Sequence, residues 1–463
     1  MTISSKIKGI GRVPDVPTLL PGEQGYDEAR TVWNAMIDER PAAIARCRNA
    51  ADVTAAVRAA RAAGVAVSVR GGGHNVAGSA VRDGAMMIDL SGMRGVSVDP
   101  ERRTARVEGG ATLADLDRAS QAHGLAVPAG VVSDTGVGGL TLGGGFGWLA
   151  RLHGLSIDNL LAVDLVLADG RQVRTSAEEA PDLFWALRGG GGNFGVATAF
   201  EFRLHPVGPE ILFGPTVFAL QDAGEVLRDW ADFMGEAPRA CTVWADLANA
   251  PPAPFLPEEV HGQKVLILMQ SWAGDPSEGE AVLAPLKAHP AALGGFVQRR
   301  PYVEAQSFLD QTYGKGARNY WGAINHDAIS DDLILEVVDV ATTLPTPESD
   351  ILLIAQGGAI SDVPVDATAY PHRDVRFMSS LGARWREAAD DARMIAWARK
   401  SSSRLGRYGR SGGYVNFISE REGREGDAYA GNLERLARIK ARYDPDNLYR
   451  VNQNIAPSRV VPD

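Results

Sequence analysis

Apolar positions in the first 206 residues fall into short runs separated by glycine clusters, the rhythm of alternating helices and strands. A helix is expected from Asp52, as its cap, to about residue 63, stopped by Gly64. Residues 65–69 and 86–90 read as strands, and residues 96–99 and 104–108 as a hairpin around the turn 100–103. Thr112 caps a helix that Gly124 closes. Residues 160–167 form a strand that turns at Asp169-Gly170 into a partner at 172–175. A helix at 181–187 and a strand at 196–204 follow. Beyond about Pro206 the glycine clusters thin out. Residues 223–235 and 277–288 carry helical amphipathicity, while 265–269, 296–299 and 351–356 read as strands of an antiparallel sheet. A terminal helix is expected at 428–443.

Length and composition narrow the possibilities. A chain of 463 residues allows two or three domains. The net charge of −10 argues against a nucleic-acid or polybasic membrane partner. No run of 18 apolar residues is present, and the first 20 residues lack a signal-type apolar core, so the cytoplasm is the expected location. Two cysteines, Cys47 and Cys241, exclude a disulfide scaffold; two buried thiols are the expected state, a single bridge the other reading.

Glycine carries the chemistry. There are 52, above the usual share of about 7%, and they cluster at 71–73, 136–147 and 189–195. Glycine after a strand lets successive amides converge on one concavity, a nest for phosphate that needs no basic side chain. Three such loops favour a large anionic cofactor. Residues 190–195 match the dinucleotide pattern of spaced glycines, but a helix precedes them and a strand follows, the inverse of the Rossmann order. No Walker motif is present. His74 sits at the mouth of the first loop between Arg70 and Asn75. Its imidazole can donate a hydrogen bond to a bound anion, or act as a nucleophile toward the electrophilic 8α-methyl carbon of a flavin. No metal-binding histidine pair accompanies it.

Several motifs in order resemble one family. They are Val67-Ser-Val-Arg-Gly-Gly-Gly-His-Asn75 with Gly78, Gly136-Val-Gly-Gly139 with residues 143–147, and Gly154-Leu-Ser-Ile-Asp-Asn159. Asp182-Leu-Phe-Trp-Ala-Leu-Arg-Gly189 with residues 192–195, Tyr414-Val-Asn416, and Tyr443-Asp-Pro-Asp-Asn447 with Asn452-Gln-Asn-Ile455 complete the set. Residues 38–206 and 411–457 thereby resemble the berberine bridge enzyme-like oxidases of the vanillyl-alcohol oxidase/p-cresol methylhydroxylase superfamily. The resemblance implies an α+β, two-domain FAD-binding fold. Residues 1–206 and 411–463 would hold FAD around an inserted substrate domain, 207–410, built of an antiparallel sheet and helices.

The resemblance also implies roles. The cofactor set is Arg70, Gly71, Gly72, Gly73, His74, Asn75, Gly78, Val132, Thr135, Gly136, Gly138, Gly139, Thr141, Gly143, Gly147, Gly195, Val196, Tyr414 and Asn416. His74 would be bonded to the flavin 8α carbon. Some relatives add a cysteine at the position of Val132, so one covalent link, through His74 only, is expected. Asn193 is expected near the adenosine. Tyr414 is expected to touch or deprotonate substrate, with Asn416 on the same side of a strand and Arg404, Arg407 and Arg410 as candidate stabilisers of its anion. In the substrate domain Gln356 is the only polar residue read on its strand, which leaves that strand without a carboxylate; Tyr320 and Trp321 are pocket candidates. The implied activity moves a hydride from a small alcohol, lactol or cyclic amine to FAD, with O2 as acceptor and H2O2 as product. A dehydrogenase with another acceptor and a non-catalytic flavin-binding protein are the alternatives, in a monomer or homodimer.

Overall fold

The computed structural model describes residues 10–410, 412–420 and 423–459. Two sheets are built from the N-terminal half. The first is four-stranded, in the order Thr18–Leu19, Ala43–Arg46, Met86–Asp89, Val67–Arg70, with its last three strands parallel. The second is five-stranded and antiparallel, in the order Val96–Asp99, Thr104–Glu108, Val196–Arg203, Leu160–Val166, Gln172–Ser176. The two meet where the chain passes Gly109 and Gly110. A Cβ there would collide with the carbonyl oxygens of Ala197 and Leu90, so only glycine lets the sheets approach.

An eight-stranded antiparallel sheet holds the middle of the chain. Its main path runs Ala292–Gly295, Glu210–Ala219, Lys264–Trp272, Cys241–Asn249, Asp350–Ala355, Phe377–Trp385, Arg318–His326. One face is covered by the helices Ala223–Glu236, Pro276–Lys287 and Asp331–Thr342, through Trp230, Leu283 and Val337. The strands beneath supply Val243, Leu268, Ile351 and Leu353. The other face of this sheet borders the cavity described below.

Local chemistry explains where the elements begin. The first long helix starts one turn earlier than the sequence pattern suggests, at Ala50, because Asn49 is its cap and accepts the amides of Ala51 and Asp52 at 2.9 and 3.0 Å. Asp52 instead accepts from Arg48 at 2.8 Å. Gly64 closes that helix at φ 68°. Thr112 and Asp115 form a capping box. Residues 137–143, read as an open glycine loop, form a short helix, Val137–Gly143. The expected terminal helix is divided, Glu425–Tyr429 and Leu433–Tyr443. Among the described residues no helix is long and apolar enough to cross a membrane.

Lys440 fastens the C-terminal helix to the glycine loop at 190–195. Its Nζ lies 2.6 Å from Asp444 Oδ2, 2.6 Å from the Asn193 carbonyl and 2.8 Å from the Tyr449 carbonyl. Both charged side chains are fully buried, and burial pulls the Lys440 ammonium down to about 8 against the opposing pull of Asp444. Removing one member of such a pair strands the other charge in a low dielectric. Lys440→Met is therefore expected to cost about 3–5 kcal/mol in chemical denaturation; a loss under about 1 kcal/mol would contradict that role.

Candidate active site

The first two glycine loops touch. A Cβ on Gly72 or on Gly136 would collide with the backbone nitrogen of the other, so both positions exclude any side chain. They border a cavity of about 1100 Å³, larger than the ~300–1,000 Å³ of ordinary small-ligand pockets. Gly71, Gly73, Asn75, Val132, Thr135, Gly138, Gly139 and Gly195 line it as well.

His74 enters the same cavity. Trp33 stacks on its imidazole at 4.5 Å and 23°, with the Trp33 amide bonded to the Gly73 carbonyl at 2.9 Å and its indole N–H to the Tyr313 carbonyl at 2.6 Å. The ring is thus fixed from outside the loop. Its Nε2 is buried and lies 3.3 Å from Asp134 Oδ1, and the imidazole holds that carboxyl below its usual value against the effect of burial.

Tyr414 also borders the cavity, 3% exposed. Its hydroxyl oxygen accepts the Gly145 amide at 3.0 Å and the Asn416 side-chain amide at 2.9 Å; Asn416 is held in turn by the Leu140 carbonyl at 3.1 Å. The two residues meet through a 3₁₀ turn, Val415–Phe417, and not along a strand. Gly143, behind this turn, leaves the space Asn416 fills. Burial outweighs the two donated hydrogen bonds and pushes the phenol up to about 12. With both lone pairs occupied, the O–H is left to donate to a ligand. Arg404 and Arg410 do not stabilise an anion here: they pair with Glu336 and Asp339, and with Asp374 and Asp327.

Several expected residues stand elsewhere. Arg70 forms a two-point pair with Asp89, its Nη2 2.6 Å from the carboxylate. Gly78, Thr141, Gly147 and Val196 do not line the cavity; Gly147 makes room for the Ala129 carbonyl and Val196 is in the core. Asn193 is turned inward, bonded to the carbonyls of Gly190 and Gln453 at 2.9 and 3.1 Å. Gln356 follows the end of its strand, where Gly357 turns the chain at φ 85°, and lines a smaller, separate cavity beside Arg151. Tyr320 and Trp321 are successive residues of one strand, so their side chains take opposite faces. Trp321 lines the cavity, while Tyr320 is tied to Glu420 and Arg399.

Two carboxylates were missed. Asp246 and Asp350 both line the cavity from neighbouring strands. The strand read as beginning at 351 begins at Asp350, so it does carry a carboxylate. An aspartate inside the apolar run 243–248, and another at the head of 350–354, are the signals that mark them.

Both ends of the chain match known family models: an FAD binding domain at residues 41–176 and a berberine and berberine-like segment at 413–456. A glucooligosaccharide oxidase of Sarocladium strictum is 32% identical, across 92% of this chain and 89% of its own. The chain belongs to the berberine bridge enzyme-like FAD-linked oxidoreductases. An (R)-6-hydroxynicotine oxidase of Paenarthrobacter nicotinovorans is 30% identical over 95% of this chain and 96% of its own. The crystal structure of 6-hydroxy-D-nicotine oxidase from Arthrobacter nicotinovorans superposes with a TM-score of 0.85 at 26% identity, covering 98% and 100% of the two chains. That of a glucooligosaccharide oxidase from Acremonium strictum, described by its 6-S-cysteinyl, 8α-N1-histidyl FAD, gives 0.84 at 26% over 96% and 98%. This oxidoreductase has the mixed helix and sheet fold of that superfamily. Its cavity suits FAD on three counts: a side-chain-free cradle, room beyond an ordinary ligand, and an imidazole on the cavity wall at the cradle's end. Cys47 and Cys241 are both free and buried away from the cavity wall.

Proposed function

We propose that this oxidoreductase holds FAD through one covalent bond, from His74, and oxidises a small organic substrate with O2 as the final acceptor and H2O2 as product. The observation that carries the reading is the placement of His74, the touching glycine loops and Tyr414 on one cavity. Residues 1–206 with 411–463 form the cofactor-holding unit and 207–410 the substrate unit. FAD, when bound, supplies the hydride acceptor. The amides of 71–75 and those of Gly136, Gly138 and Gly139 would hold its diphosphate without a cation, while the Val137 amide is bonded to the Ala111 carbonyl at 2.9 Å. Trp33 keeps the His74 ring in one orientation. Val132 stands on the wall where some relatives carry a second link, and a valine forms none. Tyr414 donates its O–H to the substrate heteroatom and so fixes the reacting carbon; Gly145 and Asn416 orient that hydroxyl.

Mixing the reduced enzyme with air-saturated buffer tests the acceptor. Rapid return of the flavin absorbance with stoichiometric peroxide is expected. Sluggish return, accelerated by a quinone, would replace O2 with another acceptor and leave the hydride chemistry standing.

A further inference from the structure

Resting on that reading of the cavity, its sheet wall identifies what the substrate brings. Asp246 pairs in register with Leu352, which places Asp350 one pleat along on the adjacent strand and on the same face. Asp246 Oδ1 is buried and has no hydrogen-bond partner. Asp350, 9% exposed, accepts the Tyr313 hydroxyl at one oxygen. Its other oxygen faces Gly382, whose backbone N–H donates to the carboxylate and where any side chain would collide with it. Among the described residues neither carboxylate has an ion pair. Arg384, whose charge reaches Asp350, is engaged by Glu348 at 3.0 Å and by the Gly314 carbonyl, and Arg386 is engaged by the same glutamate at 2.8 Å.

Two carboxyl groups on one apolar wall without a counter-ion are costly as anions. Burial and the neighbouring Asp350 push Asp246 well up. Burial lifts Asp350 to about 6, opposed by the Tyr313 hydroxyl, the charge of Arg384 and the Gly382 amide. A ligand cation between them reverses that cost. A neutral hydroxyl meets the hydrogen-bonding need of one oxygen and leaves the charge of the pair uncompensated. Trp321, Tyr313 and Trp244 line the same cavity, and aromatic rings attract a nearby cation. We propose that the Asp246–Asp350 pair selects a protonated amine, so that the substrate is an amine and not a neutral sugar or alcohol.

The test titrates the anaerobic holoenzyme near neutral pH with pyrrolidine, cyclopentanol and cellobiose, reading calorimetric heat and the perturbation of the flavin band at about 450 nm. Pyrrolidine is expected to bind most tightly. Asp246→Asn and Asp350→Asn are each expected to weaken it about 10- to 100-fold, the span of a charged hydrogen bond, with cyclopentanol unchanged and the flavin band intact. Tighter binding of cyclopentanol or cellobiose, or an undiminished affinity for pyrrolidine in both variants, would overturn the amine assignment and leave the oxidoreductase reading in place. A wild-type protein without a flavin band would overturn that reading and the amine assignment with it.

Discussion

Tyr414→Phe is expected to lower kcat about 10²- to 10⁴-fold, the usual contribution of a positioned proton-donating group, with the flavin still bound. The substitution removes one oxygen from a site that is otherwise rigid. Phe146, Phe417 and Tyr370 surround the ring at 4.8, 5.1 and 6.2 Å and keep a phenyl group in place. What disappears is the O–H, the only part of the Tyr414 hydroxyl not already engaged by Gly145 and Asn416. Because burial raises the phenol to about 12, the proton is present throughout the neutral range. It is lost only as pH climbs toward that value, so the deficit of the Phe variant should be the same at pH 7 and at pH 9. Parallel pH–rate profiles for the two enzymes check this. A deficit that grows steadily with pH would instead assign Tyr414 a role as phenolate. Asn416→Ala, which removes one of the two donors, should give a smaller loss in the same direction.

Gly136→Val is expected to abolish cofactor loading while the chain still folds. The backbone of Gly136 lies against that of Gly72, and a side chain at either position would meet main-chain atoms that cannot rotate away. The Gly136 N–H must also point into the concavity for the diphosphate, so any adjustment that accommodates the side chain spoils the cradle. Val137 and Leu142, on the short helix that follows, are packed into the core. Purified variant protein with the far-ultraviolet spectrum of the wild type, but without visible absorbance, is the expected outcome. A fully yellow variant would show that the two loops do not hold the cofactor.

The N-terminal half was legible because its signals are local. Gly64 closes a helix, Thr112 begins one, and Asp169-Gly170 reverses a hairpin, each by its own backbone chemistry. The glycine clusters marked the cradle for the same reason. The middle of the chain was harder to read. All nine residues of Phe377–Trp385 are buried, so this strand shows no alternation to detect. Arg318–His326 and Cys241–Asn249 are mixed, their buried and half-buried residues falling in runs that do not alternate. Reading the strand at 350 as 351–356, one residue late at each end, hid Asp350 and pointed to Gln356 instead. The Trp33–His74 stack joins residues 41 positions apart by tertiary packing alone, which no local pattern encodes.

Acid precipitation of the purified protein, followed by peptide mapping of the pellet, tests the central claim most directly. The account predicts a yellow pellet and a single flavin-bearing peptide, with the added mass on His74 and none on a cysteine peptide. A colourless pellet with all FAD in the supernatant would contradict it.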